Sequence, residues 1–280
     1  MPGDGRLAGK VAFVTGAARG QGRSHAVRLA AEGADIIAVD LCAQVPTADY
    51  PLAGEDDLAE TARLVREQGR EAVTALADVR NLPALSAAVD DGVARLGRLD
   101  VIVANAGIAS YAPGAELTEL QWDEMIAINL SGVWRTIRAG IGHVRRGGEG
   151  GSVVITSSAA GLRGIPNNAH YAAAKHGVVG LMKVLALELG PENIRVNTIH
   201  PTTVNTPMVR NDSTMELFLP GRENPSEEDF ARIARQLNVL PVPWVEPDAV
   251  SDLVVFLAAD EGRNLTGTSI PVDAGMAARW

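Results

Sequence analysis

The 280-residue sequence predicts an α/β fold, a doubly wound parallel sheet of about seven strands in a single domain. Two observations carry this. Short apolar runs such as Val11–Val14 and Asp35–Val39 alternate with longer amphipathic stretches, and strands apolar on both faces belong to a parallel sheet covered by helices on each side. No Pro/Gly/Ser-rich linker interrupts the alternation, and α/β domains run to about 250 residues as one unit.

In chain order, the strand Val11–Val14 leads to a helix over Gly20–Glu32 and the strand Asp35–Val39. A helix over Asp57–Gln68, a strand at Ala72–Ala77, a helix at Pro83–Leu96 and a strand at Leu99–Ala104 follow. Thr118-Glu-Leu-Gln121 forms a capping box, which opens a long helix toward Ile141. A Gly-rich turn precedes the strand Gly151–Ile155, and a helix at Asn168–Leu189 precedes the strand Ile194–Ile199. Helices at Pro225–Asn238 and Pro247–Ala258 lead to the last strand, Ser269–Val272. Ligands bind such sheets at the carboxyl ends of the strands. Two long irregular segments fall at those ends, residues 41–56 and 201–224, and both are candidate lids or binding loops.

Composition narrows the function. A formal charge of −9 opposes a phosphate backbone, so nucleic acid is excluded as a partner. The lone Cys42 cannot form an internal disulfide or a cysteine zinc cluster, and the five histidines lack metal-ligand spacing, so no metal is expected. The amino-terminal decapeptide has no apolar signal core, and no stretch approaches the eighteen apolar residues of a membrane span. A cytoplasmic protein without membrane contact is expected.

Thr15-Gly-Ala-Ala-Arg-Gly-Gln-Gly22 follows the first strand and opens the first helix, the context a phosphate-binding turn requires. Gly16 permits the tight turn, while Gly20 and Gly22 let backbone approach a pyrophosphate at the positive helix end. The P-loop pattern fails because no Lys follows in register. Asp40 ends the second strand, where a carboxylate accepts hydrogen bonds from ribose hydroxyls and repels a 2′-phosphate. Arg19 pulls toward that phosphate, but Asp40 weighs more, and NAD is expected over NADP.

Tyr171 and Lys175 are four residues apart on one helix face, with Ser158 thirteen residues before the tyrosine. A phenol has a pKa near 10, and a neighbouring cation favours its phenolate, which makes proton exchange with an alcohol plausible. A hydrolase using Ser158 with His170 or His176 is disfavoured, since no Gly-x-Ser-x-Gly elbow is present.

Together the Gly-rich turn, Asp78-Val79, Asn105-Ala-Gly107, Asn129, Ser158, Tyr171 and Lys175 resemble the short-chain dehydrogenase/reductase family across almost the whole chain. The resemblance implies a Rossmann-like fold holding NAD on Gly16, Arg19, Gly20, Gln21, Gly22, Asp40 and Leu41, with Asp78 and Val79 flanking the adenine. Asn105, Ala106 and Gly107 would support the sheet and cofactor, and Pro201, Val204 and Thr206 would face the nicotinamide. It further implies that Tyr171 is the acid/base, that Lys175 lowers its pKa and binds the nicotinamide ribose, that Ser158 orients the substrate oxygen, and that Asn129 joins a proton relay. The loop after strand six often begins Pro-Gly in this family, whereas here it reads His200-Pro-Thr-Thr-Val-Asn-Thr-Pro-Met208. A nucleotide-sensing protein that had lost the chemistry would be expected to show a broken Ser/Tyr/Lys set, and this set is intact.

Segments 108–113, 159–168 and 202–218 supply Tyr111, Leu162, Ile165, Met208, Met215, Leu217 and Phe218 as candidate lining for a hydrophobic, cyclic secondary alcohol or its ketone. The segment 41–54 after Asp40, with Ile-Asn-Leu-Ser-Gly-Val-Trp134, is similar to the mycofactocin-coupled subgroup that includes carveol dehydrogenases. That resemblance implies a retained NAD, a mycofactocin redox partner and a homotetramer built partly on the helices after Thr118 and Asn168.

Overall fold

The computed structural model describes residues 5–222 and 226–279; the expected helix start at Pro225 and the end of the 201–224 loop lie outside them. Seven parallel strands pair in the order β3-β2-β1-β4-β5-β6-β7 among the described residues. They are β1 Val11–Thr15, β2 Asp35–Asp40, β3 Ala72–Leu76, β4 Val101–Ala104, β5 Gly151–Thr156, β6 Ile194–Pro201 and β7 Ser269–Val272. Side chains alternate across the pleat, so Phe13, Ile37 and Ile102 enter one buried cluster while Ala12, Val14 and Ile36 enter the other. Each cluster needs a helical cover. Helices α1 (Gly20–Ala31), α2 (Glu55–Glu67) and α9 (Pro247–Ala258) close one face; α3 (Leu82–Leu96), α4 (Glu119–Asn129), α5 (Ser131–Gly147) and α6 (Ala169–Leu189) close the other. Phe13 and Met182, both fully buried, each contribute about 1.5–3 kcal/mol through burial alone.

Strand order reverses between β1 and β4, and the crevice above that switch point is where open α/β sheets bind ligands. The loops after β1, β4, β5 and β6 converge there.

Two expectations are corrected. The single long helix from Thr118 is two helices, because the backbone breaks at Leu130 (φ −117°, ψ −64°) and α5 then runs past Ile141 to Gly147. The break is tertiary in origin. The fully buried Asn129 is tied to Ile108, and a side chain at Gly132 would meet Val79 Cγ2 at 2.7 Å. The segment after β6 is not wholly irregular, since α7 (Asp212–Phe218) forms within it, capped by Asn211 Oδ1 accepting from Thr214 N at 2.9 Å. Helix α8 (Glu227–Leu237) follows, with Ser226 and Asp229 in a capping box.

Candidate active site

One cavity of about 440 Å³ opens over the switch point and runs from the glycine turn to the residues after β6. At its cofactor-facing end, Gly16 has φ +67°, and a Cβ there would lie 2.8 Å from Ala106 Cα. A Cβ on Gly22 would fall 1.9 Å from the Gly16 carbonyl oxygen, so only glycine lets the turn pack onto α1. No acidic side chain occupies the first turn of α1, which leaves its positive end open to an anion. Asn105 fixes the neighbouring strand ends: its Nδ2 donates to the Thr15 carbonyl at 3.1 Å, and its Oδ1 accepts from Thr156 Oγ1 at 3.2 Å.

Asp40 lines the cavity and accepts from Ala18 N (2.9 Å) and Cys42 N (3.2 Å), so its carboxylate also shapes the glycine turn. Arg19 is turned onto the Pro51 carbonyl of the segment following β2. Asp78 is held by Arg80 through its Nη2 at 2.7 Å; burial raises the carboxyl pKa, but the guanidinium outweighs it and the net shift is downward. Gln21, Gly20, Leu41, Val79, Ala106, Gly107, Pro201, Val204 and Thr206 complete this wall. Thr202, standing where the family often has glycine, has no positive φ, so the loop does not require glycine there.

The fit to a dinucleotide rests on the glycine cradle, the open helix end, and Gln21 Oε1, which is buried in the cavity wall without a hydrogen-bond partner. The segment after β2 forms a strap along one side of the cavity. Leu41, Val45, Tyr50 and Leu52 line the cavity, Tyr50 Oη accepts from Ala109 N at 3.2 Å, and Thr47 Oγ1 donates to Glu124 at 2.8 Å. Glu124 also receives Arg80 at 2.9 Å, so one ionic chain joins Asp78 to the strap.

At the other end, Ser158, Tyr171 and Lys175 share the lining. Lys175 is 3% exposed; its Nζ donates to the Thr156 carbonyl at 2.8 Å and lies 5.5 Å from the Tyr171 ring centroid. Burial drives the two groups in opposite directions. It lowers Lys175 to about 8 and raises the Tyr171 phenol above its ordinary range, against a lowering hydrogen bond with Ser158. With protein groups alone, Tyr171 holds its proton. Ser158 Oγ accepts from Ala160 N at 3.1 Å, while Ser157 Oγ donates to the Lys175 carbonyl at 2.9 Å and secures the turn against α6.

Asn129 is not among the lining residues. Its Oδ1 accepts from Ile108 N (2.9 Å) and its Nδ2 donates to Ile108 O (2.8 Å), so its side chain acts on the cavity through the backbone of the Gly107–Ala109 loop. Of the expected substrate lining, Tyr111, Ile165, Met208, Leu217 and Phe218 face the cavity. Leu162 is 39% exposed and Met215 lies outside the wall.

Sequence reasoning gave no role to two residues that shape the site. Tyr50 is one, although an aromatic inside a polar segment was a usable signal. His200 is the other. It is fully buried, with Nδ1 2.8 Å from the Ser158 carbonyl and Nε2 2.8 Å from Thr198 Oγ1. Burial, with Lys175 nearby, keeps the imidazole below its ordinary range and therefore neutral. A carbonyl only accepts, so Nδ1 carries the proton and Nε2 accepts from Thr198. His200→Leu is expected to lower kcat about 10- to 100-fold with NAD affinity unchanged, because the turn bearing Ser158 loses its anchor. His200→Asn, which keeps a donor, should recover part of the loss; equal rates in both variants would contradict this role.

Fold and site together define a class, the dinucleotide-dependent oxidoreductases, with a glycine turn and a half-buried tyrosine beside a buried lysine opening on one cavity. The short chain dehydrogenase family model matches residues 10–217, and the chain belongs to that family. It is 52% identical over 271 residues to (−)-trans-carveol dehydrogenase of Rhodococcus erythropolis, covering 96% of this chain and 98% of the relative. The crystal structure of carveol dehydrogenase from Mycobacterium avium in complex with NAD superposes with a TM-score of 0.97 at 56% identity, covering 98% of this chain and 99% of that one. A short chain dehydrogenase from Mycobacterium paratuberculosis bound to NAD gives 0.91 at 46% identity, with 98% and 100% covered.

Proposed function

We propose that the protein is an NAD-dependent dehydrogenase of hydrophobic, cyclic secondary alcohols of the carveol type. The observation that carries this is the placement of Ser158, Tyr171 and Lys175 in one cavity whose opposite wall is the glycine turn and whose remaining wall is largely apolar. Similarity to a carveol dehydrogenase and to two NAD-bound structures supports the cofactor and the substrate class. Asp40 in the wall, with Arg19 engaged on Pro51, favours a free ribose 2′-hydroxyl over a phosphate.

Gly16, Gly20 and Gly22 would hold the pyrophosphate, Asp40 the adenosine ribose, and Val204 and Thr206 the nicotinamide end. When bound, NAD supplies the hydride acceptor and a positive ring that favours the phenolate of Tyr171. Ser158 Oγ donates to the substrate oxygen, and Tyr171 Oη takes the alcohol proton as the carbinol C–H bond breaks. Lys175 holds positive charge beside the ring and stays anchored on Thr156.

The strap over residues 41–54 supports a retained cofactor that passes its electrons to a second carrier such as mycofactocin. Exposed Leu120, Trp122 and Trp134 on the α4–α5 side, with Val184 and Leu187 on α6, support a homotetramer. Activity is tested by supplying cyclic secondary alcohols with NAD and, separately, with an artificial electron acceptor. Oxidation in either format is expected; NAD binding without turnover of any alcohol would leave a nucleotide-sensing protein. Retention has its own readout. Thr47→Val with Tyr50→Phe cuts two strap contacts and should speed NADH release about tenfold or more, and an unchanged release rate would remove the strap from exchange.

A further inference from the structure

We infer that Asn168 recognises a second oxygen on the substrate, so that among cyclic secondary alcohols this site favours those carrying a hydroxyl or carbonyl besides the one that reacts. This rests on the dehydrogenase reading and specifies its substrate class. Asn168 is the residue before α6, three positions ahead of Tyr171, and lines the cavity at 6% exposure. Asparagine there ordinarily accepts a hydrogen bond from the first turn of the helix. Thr118, Asn81, Asn211 and Ser226 all do so in this chain. Asn168 does not: its side chain caps nothing, and its Oδ1 is buried without a hydrogen-bond partner.

The preceding turn keeps it from capping. Asn167 adopts φ +60° and accepts from Ala112 N at 3.0 Å, and Ala112 bridges Asn168, which pins the turn to the loop after β4. The amide is thereby held in a wall that includes Ile165, Pro166, Met208 and Leu217. A buried polar group with open hydrogen-bonding capacity is costly unless something meets it. An amide carries both donor and acceptor, so a neutral hydroxyl or ketone oxygen matches it whichever way it is turned. Ser158 and Tyr171 already serve the reacting oxygen, which leaves Asn168 for another.

The test measures kcat/KM for paired substrates, cyclohexanol against cyclohexane-1,4-diol and a cyclic terpene alcohol against its ring-oxygenated analogue. Wild type should favour the oxygenated member about tenfold or more. Asn168→Leu should erase that preference by losing rate on the oxygenated member alone, with the plain alcohol within about threefold of wild type. Asn168→Ala reads the same ratio without added bulk, should the leucine variant misfold. A wild type without the preference, a ratio unchanged in the variants, or equal losses on both members would overturn the assignment. Failure of wild type to oxidise any alcohol would instead overturn the dehydrogenase reading beneath it.

Discussion

Tyr171→Phe is expected to slow alcohol oxidation by about 10²–10⁴-fold while NAD affinity changes less than about threefold. The substitution deletes one oxygen. The ring keeps its place in the cavity wall, and the glycine turn that would carry the pyrophosphate is elsewhere in the lining. Because burial holds the phenol above its ordinary range, the wild-type rate should depend on the positive charges gathered around it, Lys175 and the oxidised ring. Steady-state rates with nucleotide titration check both halves. A phenylalanine variant within a few-fold of wild type would remove Tyr171 as the proton acceptor.

Lys175→Met should have the second largest effect on activity, and its effect on stability should depend on pH. Turnover should fall at least about 100-fold, since the cation beside the phenol is gone. Stability follows the linkage. Lys175 is lowered by burial to about 8, whereas an unfolded lysine titrates near 10.4. Between those values the unfolded chain holds a proton that the folded chain has lost, so stability rises with pH across the window. Below about pH 8 the folded protein bears the net cost of holding the buried ammonium charged, on the order of 3 kcal/mol. Lys175→Met removes that cost, so nucleotide-free wild type should be no more stable than the variant at pH 7. Wild type should then gain on the variant by about 3 kcal/mol as pH rises from about 8 to 10.5. Denaturant melts across that range measure the difference, and a flat difference would mean that Lys175 is not buried as a cation.

The sheet was legible in the sequence because its strands are apolar on both faces, which only helix-covered parallel strands require. The glycine turn, Ser158 and the Tyr171/Lys175 pair were legible because their spacing is fixed by local backbone, a strand-to-helix turn and one helical repeat. The break at Leu130 was not, since it depends on Asn129 reaching a loop 21 residues earlier. The short α7 was hidden in a polar segment, although Asn211 ahead of Asp212-Ser-Thr214 is a capping signal. Tyr50 and His200 could be seen as residues but not as parts of the site. Their partners, Ala109 N and the Ser158 carbonyl, are backbone groups that only the folded chain brings within reach.

The most direct test of the central claim is a single-turnover measurement of nicotinamide reduction after mixing NAD-loaded protein with a cyclic secondary alcohol, with and without deuterium at the carbinol carbon. Reduced nicotinamide should form in one exponential phase, slow on deuteration, and slow by about 10²–10⁴-fold in Tyr171→Phe although that variant still holds NAD. NAD-loaded wild type that reduces no nicotinamide with any cyclic secondary alcohol would contradict the account.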